Sequence, residues 1–209
     1  MKIMLMGPVG SGKGTMAELI CKKYNLAHIS TGEIFRENIK NKTKLGRLVE
    51  EYTSTGKLVP DEIVNKLVED RLAKKDCKKG FVLDGYPRNL NQALALDKIA
   101  KLDLALLIDL DEEKIIERLS ARRMCSVCNA PTNVAWLVDG KCEKCGGEVY
   151  IRDDDRPEVI KVRLSTNAVS EKLVDYYKNK GIFDTVSSVN GVNENFALVE
   201  EVLNKKGLN

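Results

Sequence analysis

Gly7-Pro8-Val9-Gly10-Ser11-Gly12-Lys13-Gly14-Thr15 decides how this chain is read. An apolar run, Lys2 to Met6, precedes it, and a helical pattern over residues 13–24 follows, with Ala17, Leu19 and Ile20 turned inward. Strand, glycine-rich loop, lysine and helix in that order fit the phosphate loop G-x-x-x-x-G-K-[ST] as far as Lys13. Glycines let backbone N–H groups curl around a phosphate, and the helix N-terminus adds roughly half a positive charge. Lys13 supplies a full one. Gly14 stands where a magnesium-binding hydroxyl is usual, so the ion is expected to rest on phosphates, water and a nearby carboxylate, with Thr15 reaching a phosphate.

Outward from that loop, apolar runs alternate with helical patterns. Short strands are predicted at residues 2–6, 27–29, 81–83, 104–110 and 182–186. Helices are predicted from Ser30, with Glu33 completing a capping box, to about Lys40; from Lys44 to Thr53; from Pro60 to about Lys75; and from Asn89 to about Ala100. Further helices cover 112–123, capped by Asp111, one long stretch from Pro157 to about Asn179, and the end of the chain from about Asn193. Strands interleaved with helices imply an α/β, three-layer P-loop fold around a five-stranded parallel sheet. Two stretches break the rhythm. Residues 30–59 are helix upon helix, and 122–155 hold cysteines, Gly146-Gly147 and the acidic triplet Asp153 to Asp155. Both read as inserts on a core of 1–29, 60–121 and 156–209.

With 209 residues, 43% hydrophobic and 31% charged, the chain has material for one domain with small inserts. No apolar run approaches the ~20 residues of a membrane span. The N-terminal apolar stretch is too short for a signal peptide, so a cytoplasmic protein is expected. The net charge of +3 is interspersed, which does not favour a nucleic-acid partner. Cys125, Cys128, Cys142 and Cys145 form two C-x2-C pairs separated by 13 residues, a spacing that in a reducing compartment points to a closed, structural zinc site. Trp136 lies between the pairs and is expected to pack the ribbon. His28, the only histidine, sits in an apolar strand and is expected in the core.

The fuller loop G-x-x-G-x-G-K-G-T, with Thr31-Gly-Glu-Ile-Phe-Arg36, Gly56-Lys57-Leu58-Val59 and Asp84-Gly85-Tyr86-Pro87-Arg88, resembles the adenylate kinases from Met1 to about Gly191. The cysteine insert resembles the zinc-bearing lid of the long bacterial form. The resemblance implies Mg-dependent phosphoryl transfer from ATP to AMP, giving two ADP, by a monomer, with residues 30–59 binding AMP and 122–155 forming the lid. It implies ATP contacts from Gly10, Ser11, Gly12, Lys13, Gly14, Thr15, Arg118, Arg122, Thr132 and the backbone near Asn193. It places Thr31, Arg36, Lys57, Leu58, Val59, Gly85, Tyr86, Pro87, Arg88 and Gln92 against AMP, together with Arg152 and Arg163. Asp84 would orient magnesium through water. Lys13, Arg88, Arg122, Arg152 and Arg163 would carry the catalysis.

The residue types suit that chemistry. ATP and AMP bring about six negative charges together, so several cations must converge. Arg118 and Arg122, four apart, share a helix face, and arginine's fork grips two phosphate oxygens at once. Gln92 can donate and accept along adenine's pairing edge, which speaks for AMP as acceptor. Departures are Glu33 and Tyr86, where the family usually has Asp and Phe, and Pro131-Thr132, where zinc-lid relatives often carry Thr-Tyr. Other readings stay open: a monophosphate kinase using GTP, CMP or UMP, a simple ATPase, or an ATP-regulated zinc-ribbon nucleic-acid binder. Lys141 and Lys144 alone make a poor footprint for the last.

Overall fold

A computed structural model describes residues 1–208. The order is β1 (Lys2–Met6), α1 (Lys13–Tyr24), β2 (Ala27–Ser30), α2 (Thr31–Lys40), α3 (Lys44–Ser54), α4 (Asp61–Leu72), β3 (Phe81–Asp84), α5 (Leu90–Asp97), β4 (Leu104–Asp109) and α6 (Glu112–Ala121). Then follow β5 (Arg122–Cys125), β6 (Pro131–Asn133), β7 (Val149–Tyr150), α7 (Pro157–Thr166), α8 (Glu171–Asn179), β8 (Phe183–Ser187) and α9 (Val192–Lys205). The main sheet runs β2-β3-β1-β4-β8, parallel throughout, as the alternating pattern predicts. β5 to β7 form a separate antiparallel ribbon, β6-β5-β7, inside the cysteine insert.

Strand alternation explains the three layers. Ile3 and Leu5 of β1 pack with Met16, Ala17 and Ile20 of α1 and Val199 and Leu203 of α9. Met4 and Met6, on the opposite face, join Phe35, Val64, Val68, Leu96, Leu173 and Tyr177. Both faces are therefore dry, and each fully buried aliphatic side chain contributes about 1.5–3 kcal/mol. β1 lies at the centre, so the loop after Met6 opens at the carboxyl edge of the sheet, where open α/β sheets bind ligands.

Several local features differ from the sequence reading, among them the helix after Asn89, which ends at Asp97 rather than Ala100. The helix predicted from Pro157 to Asn179 is two, because Thr166 and Ser165 bond back to the Val162 carbonyl at 2.7 and 2.9 Å, and Asn167 leaves the helix for tertiary partners. The helix after Asp111 stops at Ala121, and Arg122 already belongs to β5; Asp111 occupies the cap position without a side-chain bond. The helix after Pro60 ends at Leu72, where a 3-10 turn over Lys75–Lys79 takes the chain into β3. The capping box is half formed: Ser30 accepts from the Glu33 N–H, while the exposed Glu33 side chain lines the ligand cleft.

Candidate active site

The loop between β1 and α1 turns on glycines. Gly7 (φ 145°) lies so close to β4 that a Cβ would fall 2.2 Å from the Ile108 carbonyl, and Gly12 caps α1 in the left-handed region (φ 95°). Ser11 is buried beneath this loop and does not line the cleft. Gly10, Gly12, Lys13, Gly14 and Thr15 do line it. The Lys13 ammonium donates to the Gly7 and Pro8 carbonyls at 2.9 and 2.7 Å. Loss of water, reinforced by Arg88, Arg163 and Arg122, outweighs Asp84 and brings its pKa down to about 8.

Arg36, Arg88, Arg118, Arg122, Arg152 and Arg163 face the same cleft, which encloses about 440 Å³. The acidic triplet of the insert holds two of them. Arg122 makes a two-pronged bond to Asp155, while Arg163 reaches Asp155 at 2.9 Å and Asp154 at 3.1 Å. The buried Arg152 Nε has no partner, and burial next to Arg122 and Arg36 lowers its pKa to about 10. Such a surplus of positive charge is poised for phosphates. Asp155 is buried, so Asp155→Ala leaves Arg122 and Arg163 without their shared partner and is expected to cost about 3 kcal/mol. A melting temperature unchanged from the parent would show that the arginines need no such anchor.

Asp84, at the end of β3, sits beside the loop, with its Oδ2 3.5 Å from where a Cβ on Gly14 would stand. Burial alone would raise its carboxyl pKa, but His28 and Lys13 outweigh burial and hold it below the usual range. His28 is not the closed core residue expected. Its side chain is 18% exposed, with Nε2 3.8 Å from Asp84 Oδ2, because β2 ends at the cleft beside β3.

Of the residues expected against AMP, Arg36, Leu58, Gly85, Pro87, Arg88, Arg152 and Arg163 line the cleft. Thr31 lies just beneath, donating to the Gly85 carbonyl at 3.2 Å. In the chain after Gly56, Lys57 is exposed to solvent, Leu58 is half-buried and Val59 is buried in the core. Tyr86 is wholly buried, its hydroxyl donating to Asn65 Oδ1 at 2.8 Å and the Gln92 carbonyl at 3.1 Å. Gln92 is buried too: its side-chain carbonyl accepts from Arg88 N–H at 2.8 Å and its amide donates to Asp61 at 2.6 Å. Lys57, Val59, Tyr86 and Gln92 are therefore off the cleft wall. A model of the adenylate kinase family matches residues 5–182, most of the chain.

The chain belongs to the adenylate kinase family. It is 49% identical to an adenylate kinase of Caldicellulosiruptor bescii, across 87% of this chain and 89% of that one. It is 45% identical to one from Clostridium tetani, across 97% and 98%, and 44% identical to one from Methanothrix thermoacetophila, across 98% and 99%. As a member of that family it is a phosphotransferase.

Elsewhere on the cleft wall of this adenylate kinase fold, the Arg118 guanidinium is held by Ser188, donating to its carbonyl at 2.6 Å and its hydroxyl at 3.2 Å. Thr132 lines the cleft but donates its hydroxyl to Glu143 at 2.6 Å. Asn193 itself is exposed in the first turn of α9, while its neighbours Gly191 and Val192 line the cleft, as does the buried Asn195, which bonds to Ser188 and Asn190. Trp136 is not ribbon packing. The ribbon is too thin to bury an indole, its interior being taken by Met124, Cys125, Thr132 and Cys142, and Trp136 looks into the cleft.

Sequence reasoning missed Ser188, Asn195 and Asn167. Asn167 accepts from Arg88 and donates to the Gly56 carbonyl at 3.1 Å, tying the end of the helical insert to Arg88. A lone Asn in a helical pattern carries no such message, because its partners lie 79 and 111 residues away.

The four thiols of the cysteine insert converge, with all Sγ atoms within 4.8 Å of one another and contacts of 3.4 Å (Cys125 to Cys145) and 3.8 Å (Cys128 to Cys142). Zn–S bonds of ~2.3 Å give a tetrahedron with edges of about 3.8 Å, so this donor set fits zinc. Backbone N–H groups of Cys128 and Val127 lower the pKa of the Cys125 thiol, while at Cys145 the neighbouring thiols outweigh the Gly147 N–H and raise it, so the pair shares one readily formed thiolate. No helix among the described residues is long and apolar enough to cross a membrane.

Proposed function

We propose that this phosphotransferase moves the terminal phosphoryl group of Mg·ATP reversibly to AMP, giving two ADP. The observation that carries it is the meeting of Lys13, Arg36, Arg88, Arg122, Arg152 and Arg163 over one phosphate loop, a charge set that matches two nucleotides laid end to end. An AMP phosphate oxygen attacks the γ-phosphorus, the bond to the β–γ bridging oxygen breaks, and ADP leaves. An ionised phosphate needs no general base, so the protein's work is alignment and charge stabilisation. Lys13 follows the moving group, Arg36 and Arg88 hold the acceptor, and Arg122, Arg152 and Arg163 spread over both. Asp84 would hold magnesium through water, and the ion would neutralise phosphate charge.

Residues 30–59 act as the AMP-binding insert and 122–155 as a lid that shuts water out before transfer. The four cysteines hold zinc as a structural knot in a ribbon with little core of its own. Gln92 reads the acceptor base only after exchanging its bonds to Arg88 N–H and Asp61, so acceptor recognition is coupled to local rearrangement. The clustered thiols suit the reducing cytoplasm, and the protein works there as a monomer.

The test mixes ATP, AMP and magnesium and follows ADP, with GTP as alternative donor and CMP or UMP as alternative acceptors. ADP formation that requires AMP is expected. Equal rates on CMP overturn the acceptor assignment, and phosphate release without AMP marks an ATPase. A second expected result concerns protons. Nucleotide phosphates favour the charged Lys13, so on binding at about pH 9 the otherwise mostly neutral amine should take up close to one proton from the buffer, and at about pH 6.5 none. Binding heats that are independent of buffer ionisation at the higher pH would contradict it.

A further inference from the structure

Arg88 differs from its neighbours in what holds it. Arg122 and Arg163 are paired with carboxylates, Asp155 for both and Asp154 for the second. Arg88 is held by neutral oxygens instead. Its Nε donates to the Gly85 carbonyl at 2.8 Å, and one Nη donates to the side-chain carbonyl of Asn167. The difference matters to an anion. A carboxylate in contact with a guanidinium offsets much of its charge, whereas an amide fixes its direction and leaves the charge whole.

Asn167 can do this because its amide is turned one way only. Its Nδ2 donates to the Gly56 carbonyl at 3.1 Å and to the Thr166 hydroxyl oxygen at 3.0 Å. A flipped amide would set N–H against the N–H of Arg88 and oxygen against the Gly56 carbonyl, so the neighbours dictate its orientation. Asn167 lines the cleft, yet with both N–H groups taken it has no donor left for a ligand. Gly56 is itself packed on α7, where a Cβ would fall 2.8 Å from Arg163 Cγ. We infer that Asn167 is a positioning residue for Arg88, aiming the guanidinium at the acceptor phosphate without cancelling its charge. This rests on the reading of AMP as acceptor.

The test is steady-state ADP formation by the unaltered protein and its variants, with ATP and AMP varied in turn. Asn167→Ala is expected to lower kcat/KM for AMP about tenfold, the loss of one hydrogen bond to a charged group. KM for ATP should stay within about twofold. The melting temperature should stay within about 3 °C, since Asn167 is only half-buried. Asn167→Asp keeps the size and the acceptor but adds a negative charge, so its kcat/KM for AMP should fall at least as far. Being of equal size, it keeps the test decisive should alanine unfold the chain. In an Arg88→Met background, which removes the cation, Asn167→Ala should add less than about twofold. Equal losses in the two backgrounds overturn the assignment, as does an aspartate variant that matches the unaltered protein or a KM for ATP that rises as far as that for AMP. If the unaltered protein forms ADP from ATP and AMP while Asn167→Ala keeps its kcat/KM for AMP, Asn167 loses its role and the acceptor reading stands. If the unaltered protein forms none, the acceptor reading fails with it.

Discussion

Replacing Lys13 by methionine is expected to lower kcat/KM for ATP by about 10²–10³ or more while leaving the protein folded, the size seen when one preorganised charge is removed from a transition state. Lys13 sits at the mouth of α1 with its ammonium on the Gly7 and Pro8 carbonyls, so it already points along the loop that phosphates would occupy. No other lysine lines the cleft among the described residues, and the nearby arginines are anchored elsewhere: Arg122 and Arg163 on Asp155, Arg88 on Asn167. None of them can slide into the vacated place without breaking its own bonds. Stability should barely change, because methionine fills a similar volume and the lost charge was poorly solvated. The measurement is steady-state ADP formation beside a thermal melt. Near-normal turnover in a folded variant would remove Lys13 from the chemistry; a collapsed melt would assign it to structure.

Stripping zinc is expected to lower the melting temperature by about 10 °C or more, before any effect on chemistry in protein that is still folded. The ribbon buries little: Val127, Val138 and Tyr150 are exposed, and its strands are two to four residues long. Such a unit depends on its knot. Zinc in isolated ribbons contributes apparent folding energies of ~10–16 kcal/mol, and in a domain of this size each kcal/mol moves the midpoint by about 2–4 °C. Only part of that energy reaches the global transition, since the ribbon can open by itself. Cys142→Ser should reproduce the loss, Cys142 being the buried thiol of the second pair. Full activity and an unchanged melt after metal removal verified by elemental analysis would refute the structural role.

The two results touch different levels of sequence legibility. The phosphate loop was readable because its geometry is local: glycines, lysine and helix start are neighbours in the chain, and their spacing alone sets the backbone path. The cysteine pairs are local in the same sense, with two residues between partners. Strand positions and sheet class followed from period and length. Helix ends were less legible. The break at Asn167 arises from bonds to Gly56 and Arg88, and the short α6 from Arg122 joining a ribbon whose other strands come later.

Chemical type and local pattern, then, were written in the sequence by itself: a nucleotide-binding α/β core, two inserts, a thiol cluster and a surplus of arginines. Which arginine is held by Asp154 or Asp155, that Gln92 and Tyr86 turn inward to Asp61 and Asn65, and that Trp136 faces the cleft were decided only by tertiary structure. A side chain's direction depends on whether neighbours far along the chain leave it a dry pocket or a polar partner, and the pattern of one segment holds no record of that.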